Sequence, residues 1–462
     1  MKRLFVGLLL GSIVMGSACK KSDSTPNPSN PGGTPVDSKT PDIRGIITTD
    51  QHWTKDKTYR LRGYIYVSNN AILTIDAGTK IVSNKDSAGV LVIYRGSKIN
   101  AIGTAAEPIV FTSAESAPKA GDLGGVVIVG QATGNGNHSV IEGGVDAAFS
   151  AFGGTNDLDN SGTLKYVRIE YGGKAVNPGD EINGLSLYGV GSGTTLDYIQ
   201  VIRGLDDAFE FFGGTVNAKH LVAYNCADDD FDMDDGYRGK IQFAISVKDP
   251  AFTDGKGTTG DVSNNFEVDN VNPTNGFLLS RAPITFPVLS NFTAIGPNNA
   301  AGTSADYGWG MRWRRGCKFI LGNSIVLGGQ KGGLRLQEDS SIAYYVRDTS
   351  AFYNSYLLAV TNTIDVELGK VIVGVTYDNA SITALTTGTY KSKILTANSD
   401  MKLTDPFNNA SPNLKPATGS PALSGALFDF GKLSDPFFDK VTFVGALDGT
   451  NDWTAQWTIW NK

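Results

Sequence analysis

Apolar and polar positions alternate along most of this chain in short bursts, and glycine, asparagine or aspartate closes each burst. Leu73-Thr74-Ile75, Val90-Leu91-Val92-Ile93 and Ile109-Val110-Phe111-Thr112 are typical. A period of two over a few residues marks a strand, and the turn residues between bursts predict tight turns. No apolar stripe at helical spacing is visible, so helices are not expected to carry the fold.

The bursts repeat. Residues 196–217 fall on 218–239, so that Asp206 lands on Asp228, Asp207 on Asp229, Phe209 on Phe231, Glu210 on Asp232, Phe211 on Met233 and Gly214 on Gly236. Upstream, Leu164–Gly173 and Gly184–Gly189 match the two halves of this unit. Downstream, Gly310-Met311-Arg312-Trp313 and Gly333-Leu334-Arg335-Leu336 repeat its second strand. A fixed period in the twenties signals a repeat architecture, in which each unit stacks on the next. With alternating strands, the unit reads as one coil of a parallel β-helix.

The coil sorts side chains by direction. Successive strand residues point to opposite faces. Leu185, Leu187, Phe209, Phe211, Phe231, Met233, Leu334 and Leu336 are therefore predicted to stack inside. Ser186, Glu210, Asp232, Glu267, Arg312 and Arg335 are predicted to form an outward, solvent-facing column, one per coil, at the ~4.8 Å interstrand spacing. The face changes from acidic to basic along the solenoid.

Like charges directly opposite each other are destabilising. Either the carboxylates are merely solvated and spread apart, or they hold a hard cation. Asp206, Asp207, Asp228, Asp229, Asp230, Asp232, Asp234 and Asp235 offer enough oxygens for calcium, which takes six to eight. The run from Asp228 to Asp235 lacks the spacing and terminal Glu of an EF-hand loop.

The ends add a location. Met1–Ala18 has a basic start, a short apolar run and small residues before Cys19, the layout of a secretory signal, and it is too short to span a membrane. Small residues followed by Cys resemble a bacterial lipobox, which implies a lipidated Cys19. Residues 19–41, rich in Ser, Pro, Asn and Gly, read as a tether without an apolar face. Residues 42–462 read as a single solenoid domain with capping coils at the start and a C-terminal cap. The net charge of −6 and the lack of a basic stripe argue against a nucleic-acid partner. Cys226 and Cys317 sit at non-equivalent positions and are expected to be buried and unpaired. His52, His138 and His220 are scattered, which gives a histidine-based metal site or triad little support.

LTIDAGT, YRGSKINAIGT and PIVFTS, with Gly124–Gly130 and the tail from Leu414 through Trp453, Trp457 and Trp460, resemble right-handed parallel β-helix (pectate-lyase-like) lipoproteins common in Bacteroidetes. The resemblance covers nearly all of the chain after the tether. It implies an outer-membrane, lipid-anchored location at the cell surface, and it implies no catalytic residue.

Three functions compete. The first is a non-catalytic ligand-binding face, for an extracellular glycan or an outer-membrane transporter. Glu210, Arg312, Arg335 and Trp313 would take part, and Trp309, Tyr307 and Tyr237 are further aromatics for stacking on sugar rings. The second is a polysaccharide lyase or glycoside hydrolase on acidic glycans. Lyases of this fold use carboxylate-held calcium and an arginine base, roles open to Glu210, Asp232, Glu267 and Arg312. The third is a structural or adhesive surface protein. The binding reading is preferred, with Ca2+ as cofactor and a monomeric state, because no lyase signature is recognisable. Fold alone decides none of this.

Overall fold

The structure, a computed structural model, describes residues 39–177, 180–254 and 262–461. The signal-like segment, Cys19 and most of the tether lie outside the described residues.

The strands wind into a right-handed parallel β-helix with three parallel sheets. One coil shows how. Thr195–Ile202 is one strand by hydrogen bonding, but Tyr198, at φ 56°, bends it. The half before the bend lies in the first sheet and the half after it in the second. Arg203, at φ 54°, turns the next corner, and Phe209–Phe212 forms the third sheet. Asn217–Tyr224, bent at His220, and Phe231–Asp234 repeat the pattern. Leu196 pairs with Ala218, Val201 with Ala223 and Glu210 with Asp232. The sequence repeat is one coil.

A left-handed backbone costs a non-glycine residue about 1–2 kcal/mol, so a bend in every coil needs compensation. Tyr166, Tyr198, His220 and Phe243 all occupy the bend, and their rings stack outside it at centroid separations of 4.4, 4.1 and 5.2 Å. Stacked rings contribute about 0.5–1.5 kcal/mol per pair beyond burial. Farther along, Asn291, Asn323 and Asn354 take over the bend. Asparagine tolerates this conformation, and Asn354 donates from Nδ2 to Asn323 Oδ1 at 2.8 Å.

The interior is apolar throughout. The eight side chains expected inside are all buried to 1 % exposure or less. Cys226 and Cys317 are free and buried, as expected, and burial pushes the Cys226 thiol up to about 12. Helices Asp339–Val346 and Asn379–Thr387 pack on the last coils through Ile342, Tyr345 and Ile382.

The chain then runs back along the outside. Met401, Leu414, Val444 and Trp457 cover Ile202, Val222, Ile245, Ile295 and Leu327, which point outward from the second sheet. Gln200 Nε2 donates to Ile459 O at 2.9 Å, and Gln242 Nε2 donates to Asp439 O at 2.9 Å, which fixes the strap to the coils.

Two excursions leave the coil beside the third sheet. Residues 130–161 follow Leu123–Val129, and residues 269–287 follow Phe266–Val268. They interlock through asparagines: Asn135 Nδ2 donates to Asn270 O at 2.8 Å, and Asn137 Oδ1 accepts from Asn272 N at 2.8 Å.

Candidate functional site

The predicted outward column exists in register. Ser186 pairs with Glu210, Glu210 with Asp232, Asp232 with Glu267, Glu267 with Arg312, and Arg312 with Arg335. Asp365 continues it beyond Arg335. The column does not face solvent, and this corrects the sequence reading. Glu210, Glu267 and Arg312 are 9 %, 4 % and 8 % exposed. They point away from the core, as alternation requires, but the excursions and the turns between the second and third sheets close over them. A coil repeat fixes the direction of a side chain and says nothing about what inserted loops place on top of it.

The column divides by charge compensation. At its basic end Glu267 is held by two guanidiniums. Arg312 Nη1 donates to Glu267 Oε2 at 2.9 Å, and Arg314 Nη2 donates to Glu267 Oε1. Arg314 Nε reaches Asp269 Oδ1 at 2.7 Å, and Arg315 Nη1 reaches Asp269 Oδ2 at 2.7 Å. Arg312 Nε also donates to Gln337 Oε1 at 2.7 Å. Arg335 is half-buried and pairs with Asp365 at 2.7 Å.

At the acidic end no guanidinium or lysine among the described residues pairs with Glu210 or Asp232. Burial first, then the charge of Asp232, pushes Glu210 well above the usual carboxylate range. Burial and then Glu267 do the same to Asp232, and burial and then Asp235 to Asp234. Asn183 Nδ2 donates to Glu210 Oε2. Asp232 Oδ1 and Asp234 Oδ1 are closed off from solvent with no hydrogen-bond partner among the described residues. A carboxylate in that state costs several kcal/mol if ionised.

The eight aspartates named from sequence do not form one site. Asp207 and Asp229 belong to a ladder: Asp207 Oδ1 accepts from Asp229 N at 2.8 Å, and Asp229 Oδ1 accepts from Asn264 N. Oxygens of Asp207, Glu210 and Asp232 lie within 4.8 Å of one another, as do those of Asp229, Asp232 and Glu267. Asp228 groups both with Asp207 and Asp229 and with Asp206 and Asp254. Asp230 is apart, fully buried against Lys248 Nζ at 3.0 Å and Ser246. Asp235 turns to the excursion and bonds His138 Nδ1 at 3.1 Å.

The aromatic expectation is also corrected. Trp313 is fully buried in the core and stacks on Phe319 at 3.7 Å, because its position in the strand points inward. Tyr307 and Tyr237 are buried as well. Trp309 alone among the four is half-buried, with Nε1 donating to Asp365 Oδ2 at 2.8 Å and the guanidiniums of Arg312 and Arg335 each 5.3 Å from its ring.

Glu142, Asn183, Asp269 and Arg314 were not singled out in the sequence, and His138 was named only as one of three scattered histidines that gave a metal site little support. Asp269 and Arg314 carried a signal, since each sits two residues beyond a column member and so shares its face. His138 carried none, because it reaches Asp235 from an excursion 97 residues away.

Beside this region lies an open cleft of about 680 Å³, lined by Asn299, Thr303, Ser304, Gln330, Lys331 and Thr361 among others.

A solenoid of three parallel sheets, with acid and arginine stacked on one outer face, defines the class. The chain belongs to the pectate-lyase-like beta helix domain family, which it matches over residues 45–399. The returning strap from Met401 onward lies beyond the match. No curated protein and no solved structure matches the chain.

Proposed function

We propose that the chain is a non-catalytic binding protein, held by a lipidated Cys19 at the outer-membrane surface, that takes an extracellular glycan in the cleft at the edge of the third sheet. The observation that carries this reading is the state of Arg312. An arginine base must meet substrate, yet Arg312 is buried and committed to Glu267 and Gln337. The cleft offers what a sugar needs: hydroxyls of Thr303 and Ser304, amides of Asn299 and Gln330, and the exposed Lys331 at its rim. Trp309 lies two residues after the cleft-lining Tyr307.

Calcium is the cofactor of this reading, with Asp207, Asp229, Glu210 and Asp232 as ligands. Oxygens of Asp207, Glu210 and Asp232 converge within 4.8 Å of one another, which suits a hard cation, and Asp232 Oδ1, with no hydrogen-bond partner among the described residues, supports it. Calcium here is structural. It steadies the coils that carry the cleft.

The test is a glycan array on the soluble chain from Asp42, followed by calorimetry with the best glycan. Binding that falls at least tenfold in Lys331→Ala is the expected result. New ultraviolet absorbance from an unsaturated product, lost in Arg312→Ala, would replace binding with lyase chemistry.

A further inference from the structure

Among the described clusters of ligating side chains, one differs in kind. His138, Asp234 and Asp235 each offer an atom within 4.8 Å of the other two, and it alone among these groups contains an imidazole nitrogen. All-oxygen sets suit calcium or magnesium, whereas an imidazole among carboxylates suits zinc and other divalent transition ions.

The distances fit such an ion. Zinc bonds of about 2.0–2.2 Å in a tetrahedron place neighbouring ligand atoms about 3.3–3.5 Å apart. His138 Nδ1 stands 3.1 Å from Asp235 Oδ1 and 3.8 Å from Asp234 Oδ2. The outer contacts are those that orient metal ligands. Glu142 Oε1 lies 3.5 Å from the far nitrogen of His138. Asn137 Nδ2 donates to Asp235 Oδ1 at 2.9 Å, and His138 N donates to Asp235 Oδ2 at 3.2 Å. The ring packs edge-on against Phe212 at 5.4 Å.

Asp234 gives the independent sign of a missing partner. It is only 9 % exposed, its carboxylate faces the imidazole, and its Oδ1 has no hydrogen bond among the described residues. Asp235 and His138 satisfy one another, whereas Asp234 Oδ1 is left without a hydrogen-bond partner among the described residues.

We propose that His138, Asp234 and Asp235 bind a divalent transition-metal ion of the zinc class, which fastens the 130–161 excursion to the turn after the third sheet. Two ligands come from the coil and one from the excursion, so the ion cross-links segments far apart in sequence. The site is separate from the calcium ligands proposed above and does not depend on them.

The experiment uses the soluble chain from Asp42, stripped of metal and titrated with zinc by calorimetry. Cobalt serves as a spectroscopic stand-in. One zinc per chain, a cobalt spectrum with tetrahedral visible bands, and a melting temperature raised by zinc are expected. His138→Gln and Asp234→Asn should each abolish binding, and Glu142→Gln should weaken it about 10–100-fold. If the stripped wild-type chain takes up no zinc, or His138→Gln binds it equally well, the proposal is wrong and His138 is simply a partner of Asp235. Should a variant fold poorly, the wild-type cobalt spectrum still decides, since octahedral bands would overturn the assignment.

Discussion

The outer face of the third sheet has two ends built on the same backbone. Toward the N-terminus its outward residues are Tyr66, Val92, Val127, Tyr188 and Phe212, capped by Ile141, Phe149 and Phe152 of the excursion. Toward the C-terminus the column of Tyr66, Val92 and Val127 passes through Ser186 to Glu210, Asp232, Glu267, Arg312 and Arg335, and the neighbouring column of Tyr188 and Phe212 passes to Asp234. Both ends are covered. At the apolar end, covering a face removes hydrocarbon from water, which stabilises by about 25 cal/mol per Å². At the charged end, covering removes ions from water, which costs several kcal/mol for each ion left uncompensated. A structural lid needs only the first kind of face. Glu210 and Asp232 lie at the charged end with no cationic side chain paired to them among the described residues, and the proposed calcium site rests on that contrast.

The largest effect should come from breaking the compensated part of the charged end. Glu267→Ala removes the carboxylate that Arg312 and Arg314 share. Loss of one partner of a buried pair costs about 3–5 kcal/mol, so a clear fall in the denaturant midpoint is expected. Phe212→Ala tests the apolar end. It removes a ring stacked on Tyr188 at 4.0 Å, and about 3 kcal/mol of destabilisation is expected from the cavity. An effect below about 1 kcal/mol would mean that the excursion does not press on this face.

The uncompensated end should respond to pH in the opposite way from an ordinary ion-paired surface. Glu210, Asp232 and Asp234 are raised well above their usual range, and Glu142 is raised to about 7, by burial first and in each case also by neighbouring acids. Groups raised on folding bind more protons in the folded state than in the unfolded state between the two pKa values. Their stabilising contribution is full below the unfolded value near 4 and is lost as pH rises through the folded values. With chelator present, melting at pH 5.5 should therefore exceed melting at pH 8. Millimolar calcium should close the gap at pH 8 by mass action. A chelated chain that melts higher at pH 8 would show that these acids are compensated after all.

Asp232→Asn sharpens this further. Removing one of two charges ~4.8 Å apart relieves repulsion of about 1 kcal/mol. The variant should be slightly more stable than the parent in chelator and should lose the calcium response. Smallest of all, Arg335→Ala opens a half-buried pair with Asp365. Less than about 1 kcal/mol is expected, measured by the shift in denaturant midpoint.

The repeat alone determined the coil, its register and the direction of each side chain. Phe209, Glu210 and Phe211 alternate, and alternation is a property of the strand itself. That is why the placement of Glu267 and Arg312 in one column with Glu210 and Asp232 was legible despite the insertions between them. The sequence also marked Cys226 and Cys317 as buried, unpaired residues, from their position in the coil.

Only the tertiary structure decided what lies on top of the column. Burial of Glu210, the pairing of Glu267 with Arg312 and Arg314, and the approach of His138 to Asp235 all depend on segments that leave the coil and return. No period links an excursion to the face it covers, so local pattern holds no record of that contact. Trp313 shows the same limit from the other side. Its aromatic character suggested a sugar platform, but its place one residue after Arg312 turned it inward against Phe319. Side-chain chemistry proposes a role, whereas burial and neighbouring charge decide whether the residue can reach a ligand.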